Sequence, residues 1–286
     1  MSRITASTAP SSASSSSRGG VSATAGRLTR NSVFERFARA GFIMTGIVHL
    51  LVGYIAIRLA FGGEGNSADQ SGAMAELAEK PGGGVVLWVG AVAFAALGLW
   101  RLIESVVGSS SKPRPDSTQS LIFHRGKAFG EAVLYFVFTV SAISFARGSG
   151  KSSGEQNSGL TARMMQSTSG TIALVLIALA IIAIGGYYLY KGATQRFVKD
   201  LDGSVGSVTR KLGTVGYIAK GAAIAGIGVL VIVATTRAEP DKASGLDGAL
   251  KTLGAQPYGV FLLVVAGLGI ITYGVYNFVR ARHAKM

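Results

Sequence analysis

Among the polar side chains that interrupt the apolar stretches, Thr45, His49, Glu131 and Lys220 are the candidates for chemistry. An ionisable group inside a hydrocarbon span is costly, so each is a candidate for ion pairing, proton relay or ligand contact. His49 stands about ten residues into the first apolar stretch, where an imidazole could pass a proton or ligate a metal or haem. The other histidines, His124 and His283, belong to the ends of spans. A two-histidine site at one depth is therefore not expected, and the plainer reading of His49 is a neutral, hydrogen-bonded packing residue. Glu131 and Lys220 lie near the ends of the third and fifth stretches, and opposite charges there could pair and gate a mouth. The competing reading is local. Lys127, one helical turn before Glu131, supplies an ion pair on the same helix, and Lys220 can snorkel to the headgroups. Arg58, close to the far end of the first stretch, also reads as a snorkelling cation.

Other chemistry lacks its parts. The chain has no cysteine, which excludes disulfides, thiolate catalysis and iron–sulfur ligation. There is no Walker sequence, no G-x-G-x-x-G after a strand, no HExxH and no Gly-x-Ser-x-Gly. No catalytic residue, metal site or cofactor is expected, and the chain does not read as an enzyme.

The elements that hold these residues are six apolar runs, at roughly 40–61, 85–107, 128–146, 171–190, 213–235 and 258–279. Each is about 20 residues long, which at about 1.5 Å per residue spans one hydrocarbon thickness of about 30 Å. Of the 286 residues 49% are hydrophobic and 15% charged; the mean hydropathy is +0.42. The fold class that follows is an all-α integral membrane bundle of six helices, with the lipid bilayer as its first partner.

The net charge of +14 is explained by its placement. Twenty of the 28 Lys and Arg fall in the N-terminal segment, in the connections after the second and fourth runs and at the C-terminus, against eight in the other three connections. Basic residues that track alternate loops are a topology signal, and they place both termini in the cytoplasm. Nucleic-acid binding is not expected. Residues 5–26, TASTAPSSASSSSRGGVSATAG, bury too little apolar surface to repay ordering. They read as a disordered tail over residues 1–33, with an organellar transit peptide as the competing reading.

The runs repeat. Gly98-Leu99-Trp100, Gly186-Tyr187-Tyr188 and Gly274-Val275-Tyr276 recur at a constant spacing of 88 near the ends of the even runs, where the aromatics read as an interfacial belt. GAMAELAEKPGG at 72–83 is rewritten as GALKTLGAQPYG at 248–259, with Pro81 and Pro257 in step, and TARMMQSTSG is a worn middle version. The spacing predicts a short amphipathic helix on the outer surface, stopped by the proline. In the odd runs Gly41 and Gly46 match Gly216 and Gly221, with Ala132 the looser middle partner of Gly46. Thr45, Glu131 and Lys220 then share one repeat position. The chain divides into repeats at 34–108, 109–195 and 196–286, each with two helices. An even number of spans per unit makes the repeats parallel, related by a pseudo-threefold axis along the membrane normal.

On these glycines, prolines and Gly-x-aromatic ends the chain resembles the bacterial membrane proteins of domain of unknown function 1206, over about residues 34–281. The resemblance implies three two-helix units in a bacterial plasma membrane and leaves the activity open. Two functions are expected to compete: a structural or accessory scaffold that binds a membrane-protein partner, and a transporter or channel for a small molecule or ion along the axis. The second needs polar groups at several depths.

Overall fold

The structure, a computed structural model, describes residues 32–63, 66–107, 118–203 and 205–283. The tail expected over 1–33 lies almost entirely outside the described residues. The elements in order are α1 (Ser32–Ala60), α2 (Gln70–Ala78), α3 (Gly83–Val107), α4 (Thr118–Ala146), α5 (Ser153–Met165), α6 (Thr168–Ala193), a 3-10 turn Arg196–Asp200, α7 (Ser207–Arg237), a 3-10 turn Pro240–Ala243, α8 (Leu246–Gly254) and α9 (Gly259–His283). Six of them, α1, α3, α4, α6, α7 and α9, are long and apolar enough to cross a membrane. In lipid a span must satisfy its own backbone, which a helix does. Several hydroxyls of the spans obey the same constraint: Thr45, Thr139, Thr235 and Thr272 each donate to the carbonyl four residues back.

The long helices are arranged in chain order, and the tightest pairs straddle the repeats: α3 with α4, α6 with α7, and α9 with α1. Glycine makes these contacts close. A Cβ on Gly46 would sit 3.0 Å from the Gly274 carbonyl oxygen, and one on Gly274 would sit 3.0 Å from that of Gly46. Gly53 and Gly267 repeat the reciprocal contact two turns on, at 2.6 and 2.8 Å. Gly221 makes the equivalent approach to α6, 2.8 Å from the Gly185 carbonyl oxygen. Here the 88-residue recurrence misleads by one residue. Gly186 faces open space, and its neighbour Gly185 carries the contact.

Contacts inside a repeat use the other glycine of each odd helix. Gly41 lets α1 approach α3, 2.8 Å from the Ala93 carbonyl oxygen, and Gly216 lets α7 approach α9, 2.8 Å from Tyr273 Cα. The middle repeat lacks this device. If Ala132 stands for Gly46, the position of Gly41 is taken by Lys127. Its ammonium lies 5.5 Å from the centre of the Tyr187 ring on α6, and α4 and α6 do not pack along each other. The ring of helices is open there, and α4 and α6 are the least enclosed spans.

One end of the bundle carries the N-terminal ends of α1, α4 and α7 and the C-terminal ends of α3, α6 and α9; it is called the basic end below. Arg39 ties the chain ends together by donating to the carbonyls of Ala281 and Arg282 at 2.9 and 2.7 Å, the cationic cap that a helix C-terminus favours. The opposite, capped end is closed by α2, α5 and α8. The sequence predicts interfacial helices lying on the surface, with the middle one worn. The structure differs on both points. Ala73 and Met74 of α2 and Leu250 of α8 are buried in the core, and the middle helix is the longest of the three, 13 residues against 9 and 9. The connections also interlock. The Ala68 amide donates to Asp247 Oδ1 at 2.8 Å and the Ser153 amide to Ser71 Oγ at 2.9 Å. Pro81 and Pro257 lie in the turns that follow the short helices, each before a residue with positive φ, Gly82 and Tyr258. The next glycine is the feature shared by all three connections. A Cβ on Gly83, Gly170 or Gly259 would run into the carbonyl oxygen of Leu77, Met164 or Gly254 respectively.

Candidate functional site

The polar residues of the spans gather near the basic end, where α3, α4, α6, α7 and α9 each contribute a charged side chain. Lys220 lies between two tyrosine rings, 4.7 Å from the centre of Tyr188 and 4.5 Å from that of Tyr273, and donates to Tyr273 Oη at 2.9 Å. A desolvated cation over two aromatic faces is held by about 2 kcal/mol or more. This replaces the snorkelling reading, because the amine turns inward.

Glu131 does not pair with Lys220. Its Oε2 is 2.9 Å from Arg101 Nε and its Oε1 is 3.7 Å from Lys127 Nζ. The local pair with Lys127 is present, but Arg101 from α3 is nearer, and α3 reaches α4 because these helices form one of the tight pairs. Arg101 also meets Glu104 one turn along, at 2.5 Å. Thr45, the third member of the repeat position, spends its hydroxyl on the Gly41 carbonyl at 2.8 Å. The shared position thus gives three side chains with separate partners.

His49 is half-buried, and its Nδ1 is 2.7 Å from the Thr45 carbonyl oxygen. A carbonyl only accepts, so Nδ1 carries the proton in this geometry. Its ring centre is 5.0 Å from that of Tyr273. Among the described residues no group of three His, Asp or Glu side chains could hold a metal.

Around Lys220 is an aromatic cluster that the sequence reading missed. Tyr217 stacks on Phe197 at 5.2 Å and meets Tyr273 and Tyr276 edge-on at 5.6 and 5.5 Å. Phe197 comes from the 3-10 turn between α6 and α7 and is fully buried. Lys191 lies 5.1 Å from the Tyr217 ring and binds Asp200 Oδ2 at 2.5 Å. Arg280 sits 4.4 Å over the Phe42 ring. Tyr276, read as an interfacial belt residue, is fully buried, and Tyr188 covers Lys220. The available signal was the clustering of tyrosines at 187, 188, 217, 273 and 276 near the same ends of their helices as basic residues. Arg58, at the other end, lies 4.0 Å from Glu76 of α2 and does not simply reach for solvent.

Within this cluster Arg101, Lys127, Lys191, Lys220 and Arg280 stand against Glu104, Glu131 and Asp200, an excess of two positive charges among these eight side chains. With tyrosine rings between them, the arrangement suits an anion or a polar surface.

The capped end is different in kind. Its side of the bundle is filled by Val52, Ile55, Ala56, Met74, Leu87, Leu250 and Leu263. Above them Asp69 caps α2, accepting from Ser71 Oγ at 2.6 Å and the Gly72 amide at 2.9 Å. Burial raises its carboxyl above the usual aspartate value, and nearby Asp247 adds to this against its hydrogen bonds. Glu76 is held below the usual glutamate value, first by its hydrogen bond from Lys80. A cleft of about 350 Å³ opens beside Arg58, Asn66, Asp247 and Lys251.

Comparison with known proteins agrees with the repeat. The family model described as Domain of Unknown Function (DUF1206) matches three segments, residues 40–108, 126–195 and 215–284. The chain is also similar to the uncharacterized protein YxxB of Bacillus subtilis (strain 168), 28% identical over 257 residues, covering 88% of this chain and 92% of that one. No solved structure matches.

Proposed function

The chain belongs to the Domain of Unknown Function (DUF1206) family, and we propose that it is a non-enzymatic membrane scaffold that binds a membrane-protein partner. It sits in the plasma membrane of a bacterium with the basic end in the cytoplasm, as the split of Lys and Arg supports.

The observation that carries the reading is the asymmetry of the interior. The capped side of the spans packs apolar residues under interlocked connections, whose own charged groups Asp69, Glu76 and Asp247 lie in the short helices and loops. Apart from rim residues such as Arg58 of α1, the charged groups of the spans gather toward the basic side. A pathway for ions or solutes needs polar lining through both halves. The second reading, transport along the axis, draws support from the depth of His49 and Lys220 alone. Protein-only vesicles separate the two. A potassium or chloride gradient is expected to survive in them as long as in empty vesicles. Flux that disappears in a Lys220→Met variant would establish transport and end the scaffold reading.

A further inference from the structure

We propose that the opening between α4 and α6 seats one anionic phospholipid from the leaflet at the basic end. Its phosphate is held at Lys127, and its acyl chains lie along the seam. The inference goes beyond the scaffold reading and does not depend on it.

The seam has a cause in the sequence. Where the first and third repeats carry Gly41 and Gly216 and close their helix pairs, the middle repeat carries Lys127, and α4 and α6 stand apart. The walls above that point are apolar and open. Leu134, two turns from Lys127 on the same side of α4, is exposed. Gly130 has nothing within 4 Å of a built Cβ. On α6, Ala183 and Ala180 precede Tyr187 by one and two turns, toward the capped end, and are exposed. Acyl chains are the material that surrounds such walls in a bilayer.

The mouth supplies the charge selection. Lys127 Nζ lies between the Tyr187 ring at 5.5 Å and Glu131 Oε1 at 3.7 Å. An ammonium has three N–H donors, and its side chain is 32% exposed, so it has room for a phosphate oxygen. The cluster it belongs to, Lys127 included, carries the excess of two positive charges described above. A zwitterionic headgroup gains little there, while an anionic one gains about 1 kcal/mol per nearby cation, or about fivefold in binding.

The test offers purified full-length protein equal amounts of phosphatidylglycerol and phosphatidylcholine and counts retained lipids by native mass spectrometry. One phosphatidylglycerol is expected to be retained, preferred by about fivefold or more. Lys127→Gln should bring the two lipids near parity, and Lys151→Gln, on the connection before α5, should change nothing. Gly130→Trp fills the seam from a face with open space and should reduce retention of both lipids. That variant, with the wild-type comparison, keeps the test valid should Lys127→Gln fold poorly. Equal retention of the two lipids by the wild type would overturn the proposal. So would an unchanged preference in Lys127→Gln, unchanged retention in Gly130→Trp, or a copurifying protein chain in place of lipid. Inorganic phosphate that raises the melting temperature as much as phosphatidylglycerol does would reassign the site to a small anion and equally overturn it.

Discussion

At Glu131 two cations from two helices converge on one carboxylate, and this fixes what each substitution should cost. Glu131→Gln leaves Arg101 with Glu104 as its carboxylate and takes the carboxylate from Lys127, and should destabilise by about 1–3 kcal/mol. Arg101→Met, which removes the partner of both Glu131 and Glu104, should cost at least as much. Lys220 has different partners, so Glu131→Gln and Lys220→Met should add within about 0.5 kcal/mol. Thermal melting in detergent measures all of these. At the capped end Asp69 gives a pH signature. Its folded-state value is raised above 3.8. Its ionisation therefore opposes folding, and the stability it contributes is present at low pH and lost as pH rises through the folded value. Asp69→Asn keeps the helix cap and removes that loss. It should melt above the wild type at pH 7, with the difference shrinking as the pH falls towards 4.

At the scale of the element, the junction between each short helix and the next span turns on one glycine. Gly259→Ala drives a methyl into the Gly254 carbonyl, and relief requires the backbone of α8 or α9 to move. A loss of about 1–3 kcal/mol is expected. Gly84→Ala, one residue beyond the equivalent Gly83 and facing open space, should be neutral or stabilising by up to about 1 kcal/mol. Equal losses in the two variants would disprove the role of close approach. The helix pairs follow the same rule. Small residues decide which spans touch, because lipid offers no hydrophobic drive between helices and close backbone approach must supply the attraction.

For the whole molecule the three repeats set orientation. Each has two spans, so the short helices α2, α5 and α8 all close one end and the basic residues collect at the other. Reporter fusions after residues 66, 155 and 243 should read as external and fusions after 118 and 205 as internal. A single reversed reading would break the proposed topology. The approximate threefold is complete in the pairs that cross between repeats and incomplete within them, because α4 and α6 stand apart.

The six spans, their parallel repetition and the asymmetric charge were legible in the sequence, because apolar length, period and Lys/Arg placement are local quantities that the bilayer reads directly. Gly41, Gly46, Gly216, Gly221 and Gly274 could likewise be recognised as packing residues from their recurrence alone. Which surface each glycine meets is a long-range fact. Gly41 and Gly46 lie on one helix yet approach α3 and α9 respectively, and Gly185 packs where the recurrence points to Gly186. The same holds for the charges. A shared repeat position aligns Glu131 with Lys220, but a carboxylate goes to the nearest cation that packing delivers, and the tight α3–α4 pair delivers Arg101. The inward turn of Lys220 between Tyr188 and Tyr273, and the seam left by Lys127, depend on which helices close and which do not; only the tertiary structure decided these.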